Sequence, residues 1–137
     1  MPDPVHHSLV TALRAVPVFE SFEEHDLLEL VGTSANLCWP AGSTVFEAGA
    51  EAEALYIVLS GRVRISQDER EVAEIGPGHF FGELSLLMHT MHTRTATTLE
   101  DSELMVLPKV SFQDLLARNK EVAAHFRRTA EERLAGG

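Results

Sequence analysis

Several residue types and segments are scarce in this 137-residue chain, and each scarcity excludes a class of structure. Cys38 is the only cysteine, so the chain forms no internal disulfide and has too few thiolates for an iron–sulfur cluster. We expect it to be a small residue packed in a strand. Apolar runs span only a few residues, whereas a bilayer-crossing helix needs roughly 20, and the N-terminus lacks a signal peptide's basic flank. We therefore expect one soluble domain in the cytoplasm.

Basic residues are also scarce. The chain has 11 Lys and Arg against 21 Asp and Glu, which gives a formal net charge of -10. Segment 109–137 holds six basic residues, but it also holds four acidic ones. This mixture does not form a basic surface of the kind that binds the phosphate backbone of a nucleic acid. We expect no direct binding to nucleic acid or to a membrane, and the sequence leaves a homodimer open.

Catalytic and metal-binding motifs are missing as well. Ser/His/Asp and Cys/His arrangements lack motif support, so we expect no enzymatic activity and no cofactor. A cupin-like metal site needs two alternating histidines, whereas His79 stands alone ahead of Glu83. His89 and His92 lie three positions apart, but two ligands do not make a tight site. We interpret both as exposed loop histidines and keep a metal- or haem-binding sensor as one alternative function.

Helical patterns are present at both ends of the chain. An amphipathic pattern covers 8–15, and Ser21 with Glu24 predicts a capping box for a second helix. Ser111 and Asn119 are the predicted caps of two C-terminal helices.

Short β-type runs fill the middle of the chain. They are 36–39, 44–46, 55–60, 62–66, 72–75, 95–99 and 103–107, separated by turn formers. Such regular short strands are typical of an antiparallel sandwich or jelly roll. In one run, the alternation points Val63 and Ile65 inward and Arg62 and Arg64 to water.

The predicted fold class is therefore mainly β with flanking α. We expect a single domain, 1–137, with three parts: N-terminal helices in 1–34, a jelly roll in 35–107 and C-terminal helices in 108–137.

The most informative motif begins at Gly82 and ends at Arg94. Gly82 lets the backbone approach a ligand, and the amides of Glu83, Leu84 and Ser85 are the free N–H groups of an opening helical turn, where negative charge is favoured. Arg94 can make a forked contact to phosphate, and an ionised Glu83 suits a sugar hydroxyl. The motif predicts a site for a phosphorylated sugar, although a salt bridge from Arg94 to Glu83 that only stiffens a loop stays open.

These residues and their surroundings resemble the cyclic nucleotide-binding domain family, the jelly-roll modules of cAMP-dependent kinases, nucleotide-gated channels and catabolite-activator-like regulators. The likeness covers most of the chain, which makes it far more specific than one Gly-Glu pair. Its residues are Pro17, Phe19, Pro40, Gly42, Gly49, Tyr56, Gly61, Gly76, Gly78, Phe81, Gly82, Glu83, Arg94, Phe112 and Leu116.

The resemblance implies an antiparallel jelly roll (double-stranded β-helix) whose phosphate-binding cassette, with a short helix, maps to 82–95. Glu83 matches the residue that takes the ribose 2′-hydroxyl, and Arg94 matches the residue that grips the cyclic phosphate. Thr95 stands where some members place a hydroxyl against the phosphate or a guanine, which permits cGMP without requiring it. The positions matching backbone contacts are Gly82, Leu84 and Ser85. The implied function is a sensor of cyclic nucleotide, with cAMP favoured over cGMP.

Two departures from the family pattern affect this interpretation. Arg94 follows Glu83 by 11 positions, which is longer than the pattern, and the extra length falls in the loop 88–93. Ser85 stands where alanine is common. If the longer loop displaces Arg94, the chain would be a ligand-free jelly roll that serves as a protein interaction module.

The last predicted helix carries an apolar stripe that includes Phe126. By resemblance, such a helix closes over the base of the ligand, with Phe126 or a neighbour as a lid, and its movement relays the signal to an effector. Ordinary core packing of Phe126 is the alternative.

Overall fold

The computed structural model describes residues 4–20 and 22–136. Two helices open the chain, α1 (Pro4–Arg14) and α2 (Glu24–Thr33), with a 3-10 turn (Pro17–Phe19) between them. The capping box of α2 is formed by Glu23 and Asp26, and the predicted cap Ser21 lies outside the described residues. No helix within the described ranges combines the length and the apolar character needed to cross a bilayer.

Eight strands follow the N-terminal helices. They are β1 (Ala35–Trp39), β2 (Thr44–Phe46), β3 (Ala54–Ser60), β4 (Val63–Gln67), β5 (Arg70–Ile75), β6 (Phe80–Phe81), β7 (Thr95–Thr98) and β8 (Ser102–Pro108). One sheet has the order β1-β8-β3-β6 and the other β2-β7-β4-β5, and every pairing is antiparallel. The predicted jelly roll with flanking helices is confirmed. The two-residue strand β6 was not predicted, since two residues are too short to show alternation.

Strand alternation positions side chains mostly as predicted. Val63 and Ile65 are buried, and Arg62 is exposed and paired with Glu74 at 3.1 Å. Arg64 is half-buried rather than fully solvated. The prediction that Cys38 is packed was wrong, because β1 is an edge strand whose first four residues are all exposed.

Two C-terminal helices complete the chain, α4 (Lys109–Arg118) and α5 (Lys120–Gly136). The predicted cap Ser111 lies inside α4, which begins directly after Pro108, the last residue of β8, at a position with no side-chain cap. The Asn119 side chain donates to the Leu115 carbonyl at 3.1 Å, so it closes α4 instead of capping α5.

The core has two parts, one under the helices and one between the sheets. Phe126 of α5 is fully buried in the helical part, with ring centroids 4.5 Å from Phe80 and 5.1 Å from Phe112. Its packing fixes α5 on the barrel, so that the end of this helix reaches the region of β6 and the chain after it.

Candidate functional site

A short helix, α3 (Glu83–Met88), follows β6 and forms one wall of a pocket in the barrel. Gly82 precedes it with φ 91°, in the left-handed region that side chains rarely adopt. A Cβ on Gly82 would lie 3.1 Å from a Tyr56 ring carbon and 3.2 Å from the Ala54 carbonyl oxygen. The turn into α3 therefore requires glycine both for its conformation and for its close approach to β3.

The pocket draws on both sheets, α3, the loop before β7 and α5. Its lining residues are Phe46, Ile65, Ala73, Ile75, Phe81, Gly82, Glu83, Leu84, Ser85, His92, Thr93, Arg94 and Arg133. Five residues of the predicted site, Gly82, Glu83, Leu84, Ser85 and Arg94, are thus brought together. The wall offers one carboxylate, two guanidinium groups and a large apolar surface.

Two residues of the predicted site lie elsewhere. The Thr95 hydroxyl accepts a hydrogen bond from the Ala48 amide at 3.1 Å, and Thr95 does not line the pocket. Phe126 also lies outside the lining, in the helical core. Its position corresponds to the core-packing alternative, because an aromatic ring at four-residue spacing on α5 meets other aromatic rings rather than the pocket.

Glu83 is the most deeply buried charged group of the site. Its side chain is 1% exposed, and both carboxylate oxygens accept from Nη1 of Arg133 at 2.6 Å. Burial raises the pKa of Glu83 above its ordinary value of 4.5, while the positive charges of Arg133 and Arg94 act in the opposite direction. The carboxylate therefore depends on nearby cations to stay ionised.

Arg94 is half-buried and lines the pocket, so the long loop does not remove it from the site. Its Nε donates to Oε1 of Gln67 at 3.3 Å, and its Nη2 donates to the backbone oxygen of Arg133 at 3.4 Å. The open alternative of a direct Arg94 salt bridge to Glu83 is not what forms, since Arg133 takes that place.

Arg133 is a charged residue of the site that was not predicted from the sequence. It lies on α5, 50 positions after Glu83, and its Cζ lies 5.0 Å from the Phe80 ring centroid. Its spacing in the sequence could have indicated its position, because a residue seven positions after Phe126 lies on the same face of the helix. In the sequence, Arg133 entered only the count of six basic residues in 109–137.

His92 was predicted to be exposed, and that was wrong. It is 4% exposed and stacks on Phe46, with ring centroids 3.7 Å apart and planes at 7°. Its backbone is tied to the neighbouring turn, since its amide donates to Ala50 and its carbonyl accepts from Gly49. Burial lowers the pKa of His92 below its ordinary value of 6.5. The loop is thus folded inward at this position.

His89 lies at the end of α3 in a left-handed conformation and is exposed, so the two histidines do not share one face. Within the part of the chain that the structure describes, no group of three or more His, Cys, Asp or Glu could hold a metal ion. The metal-sensor alternative gains no support from this arrangement.

The cavity inside the pocket is small. Its volume is about 40 Å³, whereas sites for small organic ligands have volumes of about 300–1,000 Å³. The charged and apolar groups suit an anion that also carries hydroxyls and a flat apolar part. A ligand in this volume range would extend beyond the 40 Å³ space, into the open mouth of the pocket or into room made by movement of the lining.

Comparison with known proteins shows which family the chain resembles. The sequence profile of the cyclic nucleotide-binding domain family matches residues 37–119, more than half of the chain. A cyclic nucleotide-gated potassium channel of Rhizobium etli is 31% identical over 122 residues, which are 89% of this chain and 34% of the channel. The cyclic AMP receptor protein of Thermus thermophilus is 30% identical over 127 residues, 89% of this chain and 59% of the receptor.

A solved structure shows the same fold. The regulatory domain of Toxoplasma gondii PKA, crystallised with cAMP, aligns with a TM-score of 0.75 and 30% identity over 83% of this chain and 45% of that chain. The chain spans less than two thirds of the length of each of these relatives. By its sequence and its fold, the chain belongs to the cyclic nucleotide-binding domain family.

Proposed function

We propose that this chain is a non-enzymatic regulatory module that binds a cyclic nucleotide, cAMP in preference to cGMP, in the pocket beside α3. The observation that carries the proposal is the meeting of Glu83 and Arg94 in one pocket of a family member. In this role Arg94 takes the cyclic phosphate, and Glu83 accepts a ribose hydroxyl. The apolar residues of the sheets then contact the base.

The preference for cAMP is supported by the position of Thr95. Thr95 lies outside the pocket lining, with its hydroxyl accepting from the Ala48 amide, so it adds no guanine-selective group to the pocket wall. The receptor of Thermus thermophilus that resembles this chain is named for cyclic AMP.

The signal is proposed to pass through α5. This helix contributes Arg133 to the pocket, so a nucleotide bound there would lie against α5. A ligand that binds one position of α5 better than another shifts the helix toward that position. The regulated partner would be a fused domain or a separate protein in the cytoplasm.

The second candidate is a module that keeps the fold without binding a nucleotide and instead contacts a protein partner. It is favoured by one observation, the occupation of both Glu83 oxygens by Arg133. The two candidates differ in their response to added ligand.

Equilibrium unfolding in the presence of cAMP separates them. Ligand at 100 times its dissociation constant adds about 2.7 kcal/mol to the free energy of unfolding. We expect this gain for the wild type and for Arg62→Ala, which removes an exposed arginine outside the pocket. Arg94→Ala is expected to weaken binding by at least about tenfold, because a charge-assisted hydrogen bond contributes about 1.5–3 kcal/mol. If cAMP raises the free energy of unfolding of Arg94→Ala and Arg62→Ala by the same amount, Arg94 does not contact the ligand.

A further inference from the structure

The long loop 88–93 places His92 in the wall of the pocket. Two backbone hydrogen bonds hold His92 against the turn that follows β2. Its amide donates to the Ala50 oxygen at 2.9 Å, and its own oxygen accepts from the Gly49 amide at 2.7 Å. The His92 ring stacks on Phe46 with centroids 3.7 Å apart, and both residues line the pocket. The loop therefore adds a histidine to the site.

The ring nitrogens of His92 have no protein partner. The residue is 4% exposed, yet neither nitrogen makes a hydrogen bond to any residue of 4–20 or 22–136. Buried polar side chains are nearly always hydrogen-bonded. Stacking on Phe46 covers a face of the ring, not the edge that carries the nitrogens, and both nitrogens retain some accessible surface. They are thus available to a molecule bound in the pocket.

The neighbours of His92 indicate which group of a ligand it would meet. Arg94 lies two positions further along the chain, and Thr93 between them also lines the pocket. A neutral imidazole offers one N–H donor and an imidazolium offers two, while a guanidinium offers donors only. The oxygens of an anion accept from both kinds of group.

The charges around His92 leave a place for an anion. Glu83 of α3 is paired with Arg133 of α5 at 2.6 Å. Arg94 donates to two neutral oxygens, one of Gln67 and one of the Arg133 backbone, and has no carboxylate partner within the described residues. The turn beside the His92 backbone carries three exposed carboxylates, which solvent screens; they are Glu47, Glu51 and Glu53. A bound phosphate would therefore complement Arg94 and favour a proton on His92.

We propose that His92 is a ligand-binding residue whose ring N–H donates to an oxygen of the cyclic phosphate that Arg94 also contacts. The proposal rests on the proposed function and deepens it, because it gives the phosphate a second side-chain donor. The extra loop length, which left the position of Arg94 open in the sequence, here supplies a contact of its own.

This contact couples binding to a proton. In the free protein, burial lowers the pKa of His92 and favours the neutral ring. A phosphate beside the ring stabilises the imidazolium, so the pKa of His92 is higher in the complex than in the free protein. Between these two pKa values, binding takes up a proton, and the affinity for cAMP rises as the pH falls. Arg94 and Arg133 oppose this uptake, and Glu83 favours it.

Calorimetric titration with cAMP at about pH 6, in two buffers that differ in ionisation enthalpy, measures both the affinity and the proton uptake. The proteins are the wild type, His92→Phe and His89→Gln. His92→Phe keeps a ring to stack on Phe46 and loses the N–H, whereas His89 is an exposed histidine of the same loop and serves as the control. We expect His92→Phe to bind at least about tenfold more weakly and without the proton uptake of the other two proteins.

The outcomes separate this proposal from the proposed function. Equal affinities of His92→Phe and the wild type, or binding by the wild type without proton uptake, overturn the contact and leave the nucleotide site standing. Weaker binding by His92→Phe with unchanged proton uptake also overturns it, because His92 then only shapes the pocket. An absence of binding by the wild type overturns the proposed function itself.

A pH titration of the wild-type histidine ring signals by NMR gives a second test that does not depend on the fold of a variant. We expect saturating cAMP to raise the pKa of His92 and to leave that of His89 unchanged. An unchanged or lower pKa of His92 in the complex would contradict the proposal, since contact with an uncharged base buries the ring without placing an anion beside it.

Discussion

Glu83 is a buried charged residue that affects both the stability of the protein and the proposed binding site. A carboxylate with 1% exposure is costly to keep charged, and Arg133 offsets that cost through two short contacts. Removing one partner of such a pair leaves an uncompensated buried charge, which typically costs about 3–5 kcal/mol. For this reason, variants that change Glu83 alter stability as well as binding, and Arg94 is the cleaner position for testing the site.

His92 is a second buried polar residue whose state depends on its surroundings. It stacks on Phe46 inside the pocket, and its burial favours the neutral imidazole. In the unfolded chain the same group binds a proton more readily. The stability that His92 contributes is therefore fully present above its ordinary pKa of 6.5 and is lost as the pH falls through its lowered pKa in the folded protein.

Unfolding free energies at about pH 7.5 and about pH 5.5 check this dependence. We expect His92→Phe, which keeps an aromatic ring for the stack, to lose less stability between these values than the wild type. The difference is bounded by about 1.4 kcal/mol per pH unit for one proton. His89→Gln, which changes an exposed histidine at the end of α3, serves as the control for removing a histidine. Parallel profiles for His92→Phe and the wild type would show that His92 titrates normally.

At the scale of elements, the junction of β6 and α3 determines where the site forms. Gly82 combines a left-handed backbone with contact to β3, so the helix that carries Glu83 starts close against the sheet. Glycine at this position thus sets the depth at which Glu83 is buried.

Alanine substitutions at Gly82 and Gly42 separate the backbone conformation that Gly82 requires from its close contact with β3. Gly82→Ala is expected to lower the free energy of unfolding by about 2–4 kcal/mol, because it adds both backbone strain and a clash with Tyr56. Gly42→Ala, at φ 81° with nothing within 4 Å of the added Cβ, has only the strain and should cost about 1–2 kcal/mol. Urea unfolding of both variants measures the difference, and equal losses would mean that β3 tolerates the extra methyl group.

The elements themselves were predictable where local patterns were strong. The longer strands followed from alternation and turn residues, since Val63 and Ile65 alternate with arginines between clear turns. The start of α4 was missed because Ser111 is a favourable cap in isolation, whereas the helix begins at Lys109, directly after β8 and without a side-chain cap. His92 was missed because a polar loop residue gave no sign of its aromatic partner 46 positions earlier.

At the scale of the whole molecule, the site too was predictable only where its residues lie close together in the sequence. Glu83 and Arg94 were predicted together because both lie in the segment 82–95, which carries the Gly-led turn and matches the cassette of the family. Arg133 comes from α5, and its contact depends on how that helix packs through Phe126. Local sequence carries little information about such a long-range contact, although the shared helical face was visible.

The charge of the whole molecule sets a further condition on binding. The net charge is -10, while the pocket holds two guanidinium groups against one carboxylate. Charges more than about 8 Å apart in solvent are largely screened at physiological salt. An anionic ligand is therefore held by contacts inside the pocket rather than attracted by the protein as a whole.

The central claim is that this pocket binds a cyclic nucleotide, and calorimetric titration of the wild-type chain with cAMP tests it most directly. The titration is carried out at two temperatures, because binding gives no heat at a temperature where its enthalpy is zero. The heat-capacity change of binding makes the enthalpy differ between the two temperatures, so it cannot be zero at both. We expect one site per chain, with a dissociation constant in the micromolar range, which corresponds to about 8 kcal/mol of binding free energy. No heat at either temperature up to millimolar cAMP would contradict it.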